Sequence, residues 1–186
     1  MEAPALVNRH RRPFLLPVWL SMLAAVIAIG VAAMVYRSAK ITVVVLVHPV
    51  DKEVGTIDDP PLSSEGEQRA QRLAHLFGDT AAAGRLNAIY ASDSRRAQQT
   101  AAPLANLLDT RPVLVPVKDV RGTAARVVRE HEGQSVLIVD TSENVSQLLR
   151  TLSGRDVAVA GDDESDTVFV VSIPTFGESN VLRLRY

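Results

Sequence analysis

This sequence of 186 residues predicts a three-layer α/β/α sandwich. Its sheet is expected to be mostly parallel with mixed C-terminal strands, and one N-terminal transmembrane helix precedes it. Three observations carry that expectation. Along residues 41–186, short β-branched runs alternate with amphipathic stretches, the order of a sheet with helices on both faces. The first run, Ile41-Thr-Val-Val-Val-Leu-Val47, is apolar without alternation, as in a strand covered on both sides. From Phe14 to Tyr36 no charged residue occurs, and about 20 apolar residues suffice to cross a hydrocarbon core as a helix.

The N-terminal part divides by charge. Residues 1–13 form a basic tail with Arg9, Arg11 and Arg12; residues 14–36 form the span; residues 37–40, with Arg37 and Lys40, form a linker. Trp19 and Tyr36 lie towards the two ends of the span, where amphipathic rings favour the membrane interface. Pro13 and Pro17 sit near its start, where a helix tolerates proline best. The excess of arginine before the span places the N-terminus in the cytoplasm and residues 41–186 outside it, in the periplasm of a Gram-negative cell. A cleaved signal peptide is the alternative, with Arg37-Ser-Ala-Lys40 as a weak exit. Its apolar region, of about 7–15 residues, would be shorter than this one. A buried core helix would need a polar face that this stretch lacks.

After the first strand comes a loop with Gly55 and the breaker Asp58-Asp-Pro-Pro61. Ser64 and Glu67 have capping-box spacing, and Ala70, Leu73, Ala74 and Phe77 repeat as a helical stripe that Gly78 ends. A strand over Leu86–Ala91 leads into a helix with Ala97, Ala101, Leu104, Ala105 and Leu108 on one face and Pro103 inside it, where a kink is expected. Val113–Val117 contains Pro116 and so reads as an edge strand. Ala124–His131 is a short helix, Val136–Val139 a buried strand, and Val145, Leu148, Leu149 and Leu152 mark a helix ended by Gly154. Thr167–Ile173 and Asn180–Tyr186 close the chain as strands. In the last, Leu182, Leu184 and Tyr186 alternate with Arg183 and Arg185, which predicts one buried and one solvated face.

The bulk properties exclude several classes. A formal net charge of −1 gives no general attraction to nucleic acid, and none is expected as a partner. There is no cysteine, so no disulfide framework or thiolate metal site. Gly-rich phosphate loops, nucleophile elbows and zinc motifs are missing, and no cofactor is expected. Asp162-Asp-Glu-Ser-Asp166 lacks the spacing of a calcium loop and reads as solvated. His75 and His131 have no partner at metal-ligand spacing, so no metal is expected. Asp51, Asp58 and Asp59 form an acidic cluster that the Pro60-Pro61 turn explains.

Ligands of open α/β sheets sit beyond the carboxyl ends of the strands. That rule selects three segments: His48–Asp51, Ser92–Arg96 and Asp140–Asn144. Converging at one edge, they would form a phosphate-sized pocket. Their residues also carry a resemblance. Leu46-Val-His-Pro-Val-Asp-Lys52, Asp59-Pro-Pro-Leu-Ser-Ser-Glu-Gly66, the pattern from Tyr90-Ala-Ser92 through Arg96, Gln99, Thr100 and Ala101, and Val136-Leu-Ile-Val-Asp-Thr-Ser-Glu-Asn-Val145 together resemble the histidine phosphatase superfamily. The joint order is specific, each match alone is weak, and the likeness extends over residues 41–186.

The resemblance implies a histidine nucleophile, two arginines and a second histidine around the phosphoryl oxygens, and a proton donor to the leaving group. Such chemistry rests on positioning and on neutralising charge on the equatorial oxygens. In this sequence Arg96 falls on the second arginine, where its planar fork suits bidentate phosphate binding; the bland alternative is a surface arginine at a helix start. His48 fits two registers. Ungapped, it takes the first arginine's place and Pro49 the nucleophile's; shifted by one, it is the nucleophile and Val47 replaces the arginine. Thr141 falls on the second histidine and Asp140 on a glycine, with Ser142 beside them and Glu143 adding another charge.

The resemblance with these departures implies a catalytically impaired, membrane-anchored binding or regulatory module. Its anion site would comprise Arg96, His48, Thr141 and Ser142, and its partner would be a protein or a phosphorylated small molecule. Two alternatives stand beside it: a weak or specialised phosphomonoesterase or phosphohistidine phosphatase using His48 and Arg96, and a structural accessory of a membrane complex.

Overall fold

Strand β1 (Ile41–Val47) lies inside the sheet on which the C-terminal unit is built, hydrogen-bonded to a neighbour on each side. A computed structural model describes residues 16–38, 40–49, 59–78, 85–156 and 167–185. The chain separates into two units, Met1–Arg37 and Ser38–Tyr186.

The first unit contains helix α1 (Leu16–Ser38). From Val18 to Tyr36, 19 residues with a mean hydropathy of 2.5, it is long and apolar enough to cross a membrane. Large apolar side chains such as Trp19, Met22 and Val26 are exposed around it. The basic tail, with Arg9, Arg11 and Arg12, and the expected start of the span at Phe14 lie outside the described residues.

The second unit continues with α2 (Ser64–Gly78), β2 (Leu86–Ser92), α3 (Arg95–Leu107), β3 (Val113–Val115), α4 (Val120–Glu130), β4 (Ser135–Val139), α5 (Ser142–Ser153), β5 (Thr167–Pro174) and β6 (Asn180–Arg185). The six strands are ordered β3-β2-β4-β1-β5-β6. β1, β2, β3 and β4 run parallel, and β5 is antiparallel to both β1 and β6. This is the mixed α/β sheet that the sequence predicts. The helices cover both faces, as three layers require. On one face Val44, Leu46, Ile138 and Phe169 pack with Val127 of α4 and Leu148 and Leu149 of α5. On the other, Val45, Val47, Leu137 and Val139 pack with Leu73 and Phe77 of α2 and Ala101 and Leu104 of α3. Successive β1 side chains therefore enter opposite cores, which is why its sequence shows no alternation.

Several boundaries differ from expectation. The cap of α2 is Ser63 rather than Ser64: its Oγ accepts from the Gly66 N–H (3.2 Å) and its carbonyl from the Glu67 N–H (2.9 Å). Adjacent serines offer two registers for one cap, and the sequence pattern took the wrong one. Helix α3 runs on past Pro103 to Leu107. β3 does occupy an edge, but pairing stops at Val115, one residue before Pro116. Helix α4 begins four residues before Ala124, at Val120, because Asp119 caps it through the Gly122 N–H (3.0 Å). The expected buried face of β6 is not formed. Leu182 is 54% exposed and Leu184 43% exposed. They stand on the α2–α3 face opposite Val170 and Val168, outside the core cluster there.

Candidate functional site at the carboxyl edge of the sheet

The site follows from strand register. Val47 of β1 and Ala91 of β2 both align with Val139 of the intervening β4. The residues that follow, His48, Asp140 and Ser92, therefore emerge side by side at one edge. The Asp140 N–H continues the ladder by donating to the Val47 carbonyl (3.1 Å). All three are buried, His48 3% exposed, Asp140 2% and Ser92 0%.

Asp140 is the hub. Its Oδ1 accepts from the Thr141 N–H (2.7 Å) and from the Asn144 Nδ2 (2.9 Å), and the Ser92 side chain also hydrogen-bonds the carboxyl group. Burial pushes this carboxyl above the ordinary carboxylate range. The nearby charge of Asp93 adds to that rise, and the three hydrogen bonds oppose it. Asn144, itself buried, donates a second hydrogen bond to the Val117 carbonyl (2.7 Å), joining the β3–α4 loop to the hub.

The start of α3 is built into the same edge. Ser94 caps the helix through the Ala97 N–H (3.4 Å), and its hydroxyl meets that of Ser92 at 3.1 Å. Asp59 takes the Arg95 N–H on its Oδ2 (2.8 Å), and the Gln99 Oε1 accepts from the Leu62 N–H (2.8 Å). Asp93 accepts from the Val117 N–H (3.1 Å). Arg96, in the first turn of α3, is half-buried. Its Nε is buried and has no hydrogen-bond partner among the described residues.

Of the residues singled out in the sequence, the structure places His48 and Asp140 at adjacent strand ends, with Thr141 and Ser142 following Asp140 into α5. Arg96 stands two residues beyond Ser94, whose hydroxyl meets Ser92. Val47 is a core residue and Pro49 is half-buried. The Thr141 hydroxyl caps α5 by accepting from the Asn144 N–H (3.4 Å). Asp51 and Asp58 of the acidic cluster and the Asp162–Asp166 stretch lie outside the described residues. His75 is exposed on α2. The His131 Nε2 meets the Tyr90 hydroxyl at 3.0 Å, and its Nδ1 meets Gln134 Oε1 at 2.8 Å. Among the described residues no three His, Asp or Glu side chains gather as a metal site would require.

Ser92, Asp93 and Asn144 lie within the segments that the strand-end rule selects, but sequence reasoning gave them no role of their own. A signal existed for Asn144, four residues after Asp140 and in the first turn of an expected helix. Its link to the Val117 carbonyl is long-range and leaves no local pattern.

Residues 47–119 match the model of the histidine phosphatase superfamily, branch 1. No curated protein matches the chain. Among solved structures, the protein histidine phosphatase SixA complexed with tungstate superposes with a TM-score of 0.61 at 16% identity, covering 77% of this chain and 96% of its own. The alpha-ribazole phosphatase of Shigella flexneri gives a TM-score of 0.60 at 16% identity, with 77% and 96% covered. The phosphoglycerate mutase of Plasmodium falciparum gives 0.57 at 14% identity, with 78% and 91% covered. At such identities the likeness is one of fold.

Proposed function

We propose that this chain is a catalytically impaired member of the histidine phosphatase superfamily that binds a protein or a phosphorylated ligand, a reading supported by the family match over residues 47–119 and by the likeness of fold. The observation that carries this reading is the buried Asp140 carboxyl between the ends of β1 and β2. Phosphoryl transfer requires positive charge on the equatorial oxygens. Ionised, Asp140 opposes that charge; protonated, it supplies none. Beside it Thr141, whose oxygen caps α5, offers only a neutral O–H donor where the resemblance calls for an imidazole. A site with Arg96 and His48 retains the means to recognise an anion with less of what is needed to transfer it.

The deciding experiment assays the purified full chain on p-nitrophenyl phosphate and on a phosphohistidine peptide. No turnover above background is expected. Turnover that disappears in His48→Ala would overturn the reading.

A second reading, a weak phosphatase using His48 with Arg96 as clamp, is favoured by one observation: the buried Nε of Arg96, which has no hydrogen-bond partner among the described residues. It requires a covalent phosphohistidine at His48, which mass spectrometry after incubation with substrate would detect. Residues 14–36 are further proposed to anchor the chain in a bilayer, with the N-terminus cytoplasmic and residues 41–186 outside the cytoplasm.

A further inference from the structure

We propose that the turn between β5 and β6, with Phe176 at its tip and Ile41 beside it, rests in the interfacial layer of the bilayer that holds the anchor. The inference depends on α1 spanning that bilayer. Phe176 is 59% exposed and Ile41 51% exposed. Isolated apolar residues on a surface are ordinary; the positions of these two are not. Thr175 donates to the Lys40 carbonyl from both its N–H (3.3 Å) and its Oγ1 (3.2 Å), and Ile41 aligns with Pro174. The turn is thus fastened to the residue that immediately precedes β1. Gly177, at φ 109°, closes the turn directly after Phe176 in a conformation that side chains disfavour.

Chain length does the rest. Helix α1 ends at Ser38, and Ile41 already belongs to β1. Three residues reach at most about 11 Å when fully extended. The polar layer on each side of the hydrocarbon core is about 5–8 Å deep. Whatever is hydrogen-bonded to Lys40 is therefore held within reach of lipid. An aromatic ring with an apolar neighbour gains from that layer, and the stem of Lys40 can lie along it with the ammonium among headgroups.

The test uses the full chain in phosphatidylcholine vesicles whose acyl chains are brominated near the headgroup, compared with unbrominated vesicles. Trp19 is the chain's only tryptophan and reports the anchor. F176W in a Trp19→Phe background reports the turn, and L114W in the same background reports β3, on the opposite edge of the sheet. We expect quenching of Trp19 and of F176W to at least half their unbrominated intensity, with L114W unchanged. Quenching of Trp19 without F176W would overturn the inference and leave the anchor intact. Equal quenching of L114W would also overturn it, because contact would then not be specific to the turn. An unquenched Trp19 would remove the anchor and the inference with it.

Discussion

Just beyond the end of β4 stands the buried Asp140 carboxyl, and its surroundings define its behaviour. Because burial raises the Asp140 pKa, the folded chain holds its proton to a higher pH than the unfolded chain does. Between those two values the folded state binds more protons, so stability falls as pH rises through the window. Asp140→Asn removes this contribution and keeps an acceptor for Thr141 and Asn144. Its melting midpoint should exceed that of the wild type at pH 7–8, by roughly 2–4 °C for each kcal/mol gained at this chain length. The advantage should vanish below about pH 4, near the ordinary Asp value; calorimetry across pH 3–8 checks this. The same variant should bind tungstate or phosphate more tightly, by about tenfold if some 1.4 kcal/mol of repulsion is relieved. Arg96→Ala should abolish that binding in titration calorimetry. That Arg96, His48, Asp140 and Thr141 follow strand ends at the carboxyl edge was legible in the sequence, because each comes just after an apolar strand run. The roles of Ser92 and Asn144 were not: each depends on a neighbour brought close by register or by a separate loop.

Elements were legible in type more than in limits. Helix stripes identified α2, α3 and α5 because each packs one face on a core, and β1 and β4 were readable as uninterrupted apolar runs. The start of α4 was missed because its cap, Asp119, precedes the first stripe residue by several positions. That cap makes a specific demand on Gly122: a Cβ there would overlap the Asp119 carboxylate. Asp119→Ala should cost about 1 kcal/mol in urea unfolding. Gly122→Ala should be destabilising or neutral alone, yet stabilising by up to about 1 kcal/mol in the Asp119→Ala background, where helix propensity acts unopposed. A double-mutant cycle that proves additive would refute the steric link. β6 misled the sequence pattern because alternation records what one strand could bury, while an edge position decides what it does bury.

At the scale of the whole molecule, the helix stretch Val18–Tyr36 and the unit that begins at Ser38 carry different solvent instructions, one apolar all round, the other cored on two faces. The full chain should resist extraction by alkaline carbonate and require detergent. Residues 41–186 expressed alone should stay in the supernatant. A C-terminal alkaline phosphatase fusion should be active and a fluorescent-protein fusion dark in a bacterial host, since the first needs an exported location and the second a cytoplasmic one.

A tether that enters through β1 has a mechanical corollary. β1 is laced to β4 along five aligned residues and to β5 along seven. Tension on the linker loads both ladders in shear, so their hydrogen bonds must yield together. β6 runs parallel to β1, so the same tension loads it in shear too, but it holds to a single neighbour along six aligned residues where β1 holds to two. Drawn between linker and C-terminus in an optical trap, the domain should yield first at the single β5–β6 ladder and part from β1 last.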